Sequence, residues 1–159
     1  MIGRVFAGML ALFLVSCASS GSRSLTAEHP TEKARIAALL SDVFDAAQAR
    51  DMVRLDSYHW YGPKFTKFGS DTLGRQDSAA ARKGEHDGLA ALSGLSLQAR
   101  DLKIDVFGNV AIATFILDVS FKTTAAQVQK QERSTMLFVK KDEVWKITHE
   151  HFSPFKPGP

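Results

Sequence analysis

The chain has 159 residues, with 20 Lys and Arg against 17 Asp and Glu, so its formal net charge is +3 at pH 7. This length suits one domain with a hydrophobic core of its own. The charges are interspersed, and no basic block or nucleic-acid-binding motif occurs, which excludes nucleic acid as an expected partner. The single cysteine, Cys17, excludes a disulfide within the chain, so packing must stabilise the fold.

The first residues have the composition of an export signal. Arg4 precedes an apolar run over residues 5–15, which is too short to cross a bilayer, since a spanning helix needs about 20 residues. The run ends in Leu14-Val15-Ser16-Cys17, which resembles a bacterial lipobox. That resemblance implies a signal peptide at 1–16 and a lipid attached to Cys17. The alternatives are an ordinary cleaved signal, with the cysteine as a bystander, and a buried N-terminal helix.

Lipidation at Cys17 implies a protein anchored in the bacterial cell envelope. The next residue is Ala18 and not aspartate, which among lipoproteins favours the outer membrane, facing the periplasm. Residues 18–26, ASSGSRSLT, are small and polar, so residues 17–30 are expected to form a flexible tether. The folded domain is expected over 31–155, with a short tail at 156–159.

Helical periodicity follows the tether. A recurrence of apolar residues at spacings of three and four predicts a first helix over about 31–50, with one stripe formed by Ile36, Leu39, Leu40, Val43, Phe44 and Ala47. Pro30 suits the start of this helix, and Asp51 can cap a second, short helix. A third, alanine-rich helix is expected over about 77–92.

Residues 58–71, YHWYGPKFTKFGSD, are rich in aromatic side chains. Gly62 and Pro63 interrupt them and predict a turn followed by a short strand. Three of the aromatic residues carry a polar atom and are candidates to line a pocket and stack on a flat ligand: Tyr58, Trp60 and Tyr61. A place in the core is the alternative, and it is the favoured interpretation for Phe65 and Phe68.

The hydrophobic period changes to two after residue 95. Alternation over 102–106 predicts a half-buried strand, and the apolar run at 110–121 predicts a central strand buried on both faces. Two more strands are expected over 133–140 and 144–152, with a polar connection at 123–131. Helices followed by strands indicate the α+β class, here a curved antiparallel sheet wrapped around the N-terminal helices. Such an arrangement forms a cone with a pocket.

The C-terminal stretch RSTMLFVKKDEVWKITHEHFSPF carries a family resemblance. Its pattern Trp145-x-Ile147-x-His149-x-His151-x-Ser153, after a lysine-aspartate turn, resembles the SnoaL-like branch of the nuclear transport factor 2-like superfamily, over roughly 31–154. That superfamily includes ketosteroid isomerase, scytalone dehydratase, limonene epoxide hydrolase and the association domain of calmodulin-dependent kinase II. The resemblance implies the cone fold. It leaves three functions open: a module that binds a small organic ligand, an isomerase or dehydratase with a histidine general base, and an oligomeric scaffold with a vestigial pocket.

The two histidines of this pattern are the first candidate site residues. Alternate residues of a strand share a face, so His149 and His151 are expected to point with Trp145 and Ile147 into the cone. There they could bind a ligand or act as general acid and base, and histidines satisfied by a polar wall are the alternative. Two histidines supply half of a tetrahedral metal site and no second pair is visible, so neither a metal nor another cofactor is expected.

Arg133 and Asp71 are the remaining charged candidates. Arg133 shares a strand face with Leu137 and could bind a carboxylate or phosphate if that face is the core face, whereas an exposed strand-end arginine is the alternative. Asp71 follows the aromatic segment and could reach the cone mouth. Together with Tyr58 and the two histidines, Asp71 would loosely imitate the catalytic set of the dehydratase. Glu150 is expected to face away from the histidines.

The outer face of the sheet is expected to mix apolar and polar side chains: Met136, Phe138, Thr148, Glu150 and Phe152. Members of the superfamily often pair through this face, so a homodimer is expected there.

Overall fold

The computed structural model describes residues 25–155. The predictions for 1–16, for Cys17 and most of the tether, and for the tail at 156–159 fall outside the described residues. Three helices and one short strand come first: α1 (Pro30–Ala49), α2 (Met52–Ser57), β1 (Thr66–Phe68) and α3 (Ser78–Ala90). Four long strands follow: β2 (Ser93–Phe107), β3 (Val110–Lys122), β4 (Gln127–Lys141) and β5 (Val144–Pro154). No helix within 25–155 is long and apolar enough to cross a membrane.

Aspartate side chains fix the starts of the second and third helices. Asp51 accepts a hydrogen bond from the backbone nitrogen of Arg54 at 2.9 Å and caps α2. Asp77 accepts one from the backbone nitrogen of Ala80 at 2.9 Å and caps α3. These caps define the ends of the intervening segment, which carries β1 and part of the candidate site.

The strands form one sheet in the order β1-β5-β4-β3-β2. The long strands pair antiparallel as consecutive hairpins, whereas β1 lies at the edge and runs parallel to β5. Helix α1 packs on one face, where Phe44 meets Phe115 of β3 edge-to-face, with ring centroids 6.0 Å apart. This architecture confirms the predicted α+β class and the curved sheet around the N-terminal helices.

The core lies between α1 and the inner face of the sheet. Buried residues alternate along the two central strands and point inward: Ala111, Ala113, Phe115, Leu117, Val119, Met136 and Phe138. The prediction that β3 is buried on both faces is wrong. Its outward residues Val110 and Thr114 are exposed, because no layer of the described chain covers the outer face.

Two strands extend beyond their apolar segments. Strand β2 begins at Ser93 instead of about 102, and β4 begins at Gln127, so most of the predicted polar connection is strand. The polar residues there pair through their backbones, as Gln129 does with Ser120 of β3. Strand pairing does not require apolar side chains on a face that solvent covers, which is why the hydrophobic pattern underestimates these strands.

A bulge interrupts the pairing between β4 and β5. Leu137 of β4 pairs with His149, but the next residue, Phe138, pairs with Ile147. Thr148 is therefore an extra residue on β5. An extra residue shifts the alternation of side chains by one position, so the faces of β5 are exchanged beyond it.

The exchange determines which side chains enter the cone. Trp145 and Ile147, before the bulge, are buried in the core. Beyond it, Glu150 takes the inward position and is 3% exposed, while His151 is exposed. The prediction that His149 and His151 share the core face is therefore wrong, because period-two alternation does not continue through a bulge. The expectation that Glu150 faces away from them agrees with the structure.

Candidate functional site

A cavity of about 460 Å³ lies between the helices and the inner face of the sheet. Most of its wall is apolar and comes from all three helices and the long strands: Phe44, Leu55, Leu89, Leu97, Leu117, Val119, Phe121, Met136 and Phe152. This volume is suited to a small organic molecule. Charged groups occur at two places in the wall. We call His59, Lys67, Glu85 and Glu150 the inner end, and Ser70, Asp71, Lys130 and Glu132 the mouth.

The inner end brings together side chains from separate elements. Lys67 of β1 is the register partner of Glu150 in β5, and Glu85 approaches from α3. The Lys67 ammonium lies 2.5 Å from Glu85 Oε1 and 2.9 Å from Glu150 Oε2. The side chains of Lys67 and Glu85 are 14% and 13% exposed, against 1% for His59 and 4% for Glu150. Lys67 and Glu85 are therefore the groups that a ligand can reach.

His59 is held in one orientation at the inner end. Its Nδ1 lies 2.9 Å from the carbonyl oxygen of Leu55, which can only accept, so Nδ1 carries a hydrogen. Its Nε2 lies 3.4 Å from Glu150 Oε1. Tyr61 stacks on the imidazole with centroids 5.0 Å apart, and its hydroxyl donates to Glu85 Oε2 at 2.6 Å. The inner end is thus one network of hydrogen bonds and ion pairs.

The two carboxyl groups of the inner end have pKa values shifted in opposite directions. Burial raises the pKa of Glu150, but the positive charges of Lys67 and His59 outweigh it and hold this pKa well below its usual range. Burial and the charge of Glu150 raise the pKa of Glu85, and the Lys67 ammonium offsets only part of that increase. The two neighbouring carboxyl groups therefore have separated pKa values, a division that suits acid–base chemistry.

The pKa of His59 is raised as well. Burial lowers it, but the carboxylate of Glu150 raises it by more, and the net pKa lies above the ordinary 6.5. The contact between Lys67 and Glu150 Oε2 is an ion pair that lacks hydrogen-bond geometry, since that oxygen has no hydrogen bond within the described part of the chain. Charge, more than directed hydrogen bonding, therefore holds Glu150 in place.

The mouth contains a second buried carboxylate. Lys130 Nζ lies 2.8 Å from Glu132 Oε1 and 3.2 Å from Asp71 Oδ2. Ser70 Oγ donates to Glu132 Oε1 at 2.5 Å. Glu132 is buried on the inner face of β4, whereas the side chain of Asp71 is 85% exposed. Asp71 thus lies at the cone mouth, as the sequence indicated.

The inner end contains three side chains of the kinds that bind metal ions. Ligand atoms of His59, Glu85 and Glu150 all lie within 4.8 Å of one another, close enough for one divalent ion. The Lys67 ammonium already lies between the two carboxylates at 2.5 and 2.9 Å. A metal ion would have to displace this cation, so the arrangement does not fit a metal centre.

A larger depression, of about 670 Å³, lies at the far end of the sheet. Polar side chains of the outer face form much of its wall, including Gln98, Asp118 and Gln131. Asp118 is bound by Arg100 and accepts a hydrogen bond from Gln131 Nε2 at 2.7 Å. The depression shares Ser70, Asp71, Lys130 and Glu132 with the mouth, but it has fewer apolar side chains than the cone cavity, so the cone cavity is the better candidate for a small-molecule site.

The predicted aromatic residues divide between the site and its surroundings. Tyr61 reaches the inner end through its hydroxyl. Tyr58 is not in the cavity wall, and its hydroxyl accepts a hydrogen bond from Arg54 Nε at 2.8 Å. Trp60 is 42% exposed and also lies outside the wall. Phe65 is buried as predicted, whereas Phe68 is exposed on the outer face, contrary to the favoured interpretation.

The other predicted site residues lie on the outer face. The ring of Phe68 packs against His149 and His151, with centroids 6.3 and 5.8 Å away. Arg133 is exposed and donates from Nη2 to the carbonyl oxygen of Pro154 at 3.1 Å. The structure therefore does not bring His149, His151 or Arg133 into the cavity.

The outer face is made of other residues than the sequence indicated. Four of the expected ones point inward instead: Met136, Phe138, Glu150 and Phe152. The outward side chains of the central strands include two neighbouring apolar register pairs, Val110–Val139 and Ile112–Leu137. These four residues form what we call the outer apolar patch.

The sequence patterns did not predict that the residues of the inner end form a site. One signal was available for Glu85, which lies four residues from both Ala81 and Leu89 and therefore on the inward stripe of α3. No comparable signal exists for Lys67 and Glu150, because the parallel pairing of β1 with β5 and the bulge in β5 bring them together.

Comparison with known proteins identifies the family. Residues 36–157 match the SnoaL-like domain family, and no curated protein matches the sequence significantly. Similar solved structures include a candidate dehydratase of the NTF2-like family from Streptomyces avermitilis, with 15% identity and a TM-score of 0.73, covering 80% of this chain and 99% of that one. An NTF2-like superfamily protein from Salmonella enterica has 18% identity and a TM-score of 0.72, covering 81% of this chain and 95% of that one.

A third similar structure is a candidate calcium/calmodulin-dependent protein kinase II association domain from Xanthomonas campestris. It has 14% identity and a TM-score of 0.69, and the match covers 83% of this chain and 92% of that one. At such identities the likeness concerns the fold alone. The match over residues 36–157 shows more: this chain belongs to the SnoaL-like domain family, and its fold is that of the nuclear transport factor 2-like superfamily.

Proposed function

We propose that the protein binds a small organic molecule in the cone cavity, with the inner end as its polar contact. The observation that carries this proposal is a single cavity with an apolar wall and, at one end, the partly accessible charged groups of Lys67 and Glu85. Apolar walls provide affinity, and a few fixed polar groups set the orientation of the ligand.

The inner end is preorganised for such a contact. The Lys67 ammonium has three N–H donors, and the carboxylates of Glu85 and Glu150 lie beside it at 2.5 and 2.9 Å. One donor serves Glu85 Oε1, Glu150 is paired through charge, and a further donor can serve a ligand oxygen. Because the lysine is already fixed by its partners, binding costs little additional side-chain entropy.

Proton transfer on the bound molecule, as in an isomerase or dehydratase, is the second candidate. The opposite pKa shifts of Glu85 and Glu150 favour it, because neighbouring carboxyl groups with separated pKa values can divide the roles of acid and base. One similar structure is named as a candidate dehydratase. His59 lies in the cavity wall and could take part in such proton transfer, whereas His149 and His151 face away from the cavity.

The envelope location is part of the same proposal. The lipobox-like sequence that ends at Cys17 supports a lipid anchor in the outer membrane, with the cavity facing the periplasm. Cys17→Ser should abolish incorporation of labelled palmitate in the bacterial host and release the protein from the membrane fraction. Labelling that persists in Cys17→Ser would contradict lipid attachment at this residue.

Pairing with a second copy is proposed for the outer apolar patch. Two adjacent apolar register pairs on a sheet face that nothing covers within residues 25–155 support it, and one similar structure is named as a candidate association domain. Leu137→Glu should shift the protein from dimer to monomer in sedimentation equilibrium, with Thr114→Glu as a neighbouring control. A monomeric wild type would contradict this part of the proposal.

The binding proposal is tested by filling the cavity. Gly88 of α3 lines it, and a Cβ at this position would meet nothing within 4 Å. Gly88 lies two helical turns after the buried Ala81, on the same stripe of α3, so Gly88→Leu is expected to extend a side chain toward the cavity. Leucine in place of glycine also favours the helix by about 0.7 kcal/mol, so the variant should fold. Gly74→Leu is the matched control, because its position is equally open but lies outside the wall.

The probe is naphthol, a small apolar molecule with one hydroxyl. Its binding is measured by the change in naphthol fluorescence. Wild type and Gly74→Leu should bind it equally, and Gly88→Leu should bind it at least about tenfold more weakly, since occluded probe atoms lose their apolar contacts. Saturable binding that is unchanged in Gly88→Leu, or absent from wild type, would refute the proposal. Native mass spectrometry of protein from its host then identifies the natural ligand.

A further inference from the structure

We infer that the ligand is an uncharged, elongated and mostly apolar molecule with a hydrogen-bonding group at each end. This inference rests on the proposed binding function and specifies its ligand class. Three observations carry it: the pairing of every lysine in the cavity wall with carboxylates, the presence of two separate polar ends, and the apolar wall between them.

The first observation concerns charge. The charged lysines and carboxylates of the cavity wall are Lys67, Lys130, Asp71, Glu85, Glu132 and Glu150. Each lysine lies within 3.2 Å of two of the carboxylates, so neither ammonium is left without a counter-charge. An anionic ligand would have to compete with fixed carboxylates for these cations, and placing like charges together costs several kcal/mol.

A cationic ligand is not favoured either. At the inner end, His59 Nε2 lies 3.4 Å from Glu150 Oε1, so a protonated imidazole together with the Lys67 ammonium balances the two carboxylates without a ligand cation. At the mouth, Asp71 is 85% exposed and keeps its hydration, which leaves half-buried Lys130 and buried Glu132 as a balanced ion pair. Both ends are therefore polar without a large net charge.

The second observation concerns distance. Glu150 pairs with Met136 of β4, and Glu132 lies four residues from Met136 on the same inward face of that strand. Four residues of strand span about 13 Å. A molecule that contacts both ends must therefore be elongated, with polar groups separated by roughly that length.

The third observation concerns the wall between the ends. Met136, Phe152, Leu117 and Val119 all line the cavity and bring no charged atom to it. Thr72 and Gln76 line the cavity from the loop between β1 and α3, but a polar group that faces the sheet in the middle of the ligand would lose its hydration without gaining a partner, which is unfavourable. The middle of the ligand is therefore apolar, and its ends can exchange hydrogen bonds with Lys67 and Glu85 on one side and with Ser70 on the other.

The test uses a rigid biphenyl frame with different end groups and the purified protein. The probes carry a hydroxyl at both ends, at one end or at neither, a carboxylate at both ends, or an aminomethyl group at both ends. Affinities are measured by isothermal titration calorimetry. The dihydroxy probe should bind about fivefold more tightly than the monohydroxy probe, the value of one net hydrogen bond. The dicarboxylate should bind at least about 100-fold more weakly than the dihydroxy probe.

Substitutions at the mouth show whether the second hydroxyl of the probe binds there. Ser70→Ala and Glu132→Leu should remove the advantage of the second hydroxyl and leave the monohydroxy probe unaffected, because they alter the mouth alone. Glu143→Gln, at an exposed carboxylate that lies outside the cavity wall, should change neither affinity and is the control. Folding of each variant is checked by circular dichroism.

Several outcomes would overturn the inference. Tightest binding by the dicarboxylate or by the diamine would show that the ligand is charged, and equal binding of the two hydroxylated probes would show that the mouth takes no part. Each of these results leaves the cavity as a binding site. If no probe binds, the binding function proposed for the cavity fails and the ligand class fails with it.

Discussion

Lys67 and Glu150 are register partners in the parallel pair of β1 and β5, and their charged atoms meet 2.9 Å apart inside the cone. The strand that carries Lys67 is only three residues long. The ion pair therefore links a short edge strand to the end of β5 and places a buried cation where a ligand can reach it.

Loss of the lysine charge should destabilise the fold. Lys67→Met leaves the carboxylates of Glu85 and Glu150 buried without their shared cation, and removal of one partner from a buried ion pair costs about 3–5 kcal/mol. The free energy of unfolding, measured with urea at neutral pH, should fall by about that amount.

The double variant Lys67→Met/Glu150→Gln serves as the control. It should regain part of the loss, because a neutral amide no longer repels Glu85. A loss below about 1 kcal/mol in Lys67→Met, the size expected of a surface ion pair, would argue that water and not lysine compensates these carboxylates.

The stability contributed by His59 should depend on pH with a definite sign. Its pKa in the folded protein lies above the ordinary 6.5, so protonated His59 contributes stability that is fully present below pH 6.5. That contribution is lost as the pH rises through the folded-state pKa. The difference in unfolding free energy between wild type and His59→Gln should therefore decrease as the pH rises from 6.5 through the folded-state pKa of His59.

The cause of the raised pKa can be tested separately. Glu150→Gln removes the carboxylate that favours the imidazolium while burial remains, so the pKa of His59 should fall relative to wild type. Imidazole proton shifts in NMR measure it directly. An unchanged pKa in Glu150→Gln would mean that Glu150 does not control the charge of His59.

Removal of the lysine should convert the inner end into a zinc site. In Lys67→Ala the ligand atoms of His59, Glu85 and Glu150, which lie within 4.8 Å of one another, lose the cation between them. Two carboxylates and one imidazole form a ligand set that zinc accepts. Zinc should raise the Tm of Lys67→Ala, and should restore its folding if the apo variant is unfolded.

Two comparisons make this prediction specific. The double variant Lys67→Ala/His59→Ala should lose most of the zinc response, because it lacks the nitrogen ligand. Wild type should show no comparable increase in Tm. An equal response in wild type would mean that the ammonium does not occupy the cation position.

The histidines of the outer face should be dispensable for binding. His149→Ala/His151→Ala removes the contact between His149 Nδ1 and Thr66 Oγ1 at 2.8 Å, together with the packing against Phe68, but leaves the cavity wall intact. Affinity for the monohydroxy biphenyl probe should stay within about twofold of wild type, the usual range for surface substitutions. A loss of tenfold or more would return these residues to the site.

The fold was predictable because its signals are local. The apolar stripe of α1 and the apolar run of β3 persist over many residues, and Asp51 and Asp77 cap the helices where the sequence indicates. Polar strand ends, such as the start of β4 at Gln127, escaped prediction because backbone pairing alone maintains them.

The site was far less predictable because it depends on contacts distant in sequence. The single extra residue Thr148 exchanges the faces of β5, so the sequence pattern directed attention to His149 and His151 in place of Glu150. Lys67 belongs to the site only because β1 joins the sheet edge beside β5. Neither event leaves a periodic trace in the sequence.

The most direct test of the central claim is an NMR titration of the protein with the dihydroxy biphenyl probe, with assigned backbone amides and side-chain methyl groups. The account predicts that the largest shift changes lie at Lys67, Glu85 and the methyl groups of Leu97 and Met136, with little change at His149, His151 and Arg133. Shift changes centred on those three outer-face residues, with Lys67 and Glu85 unaffected, would contradict the assignment of the cone cavity as the functional site.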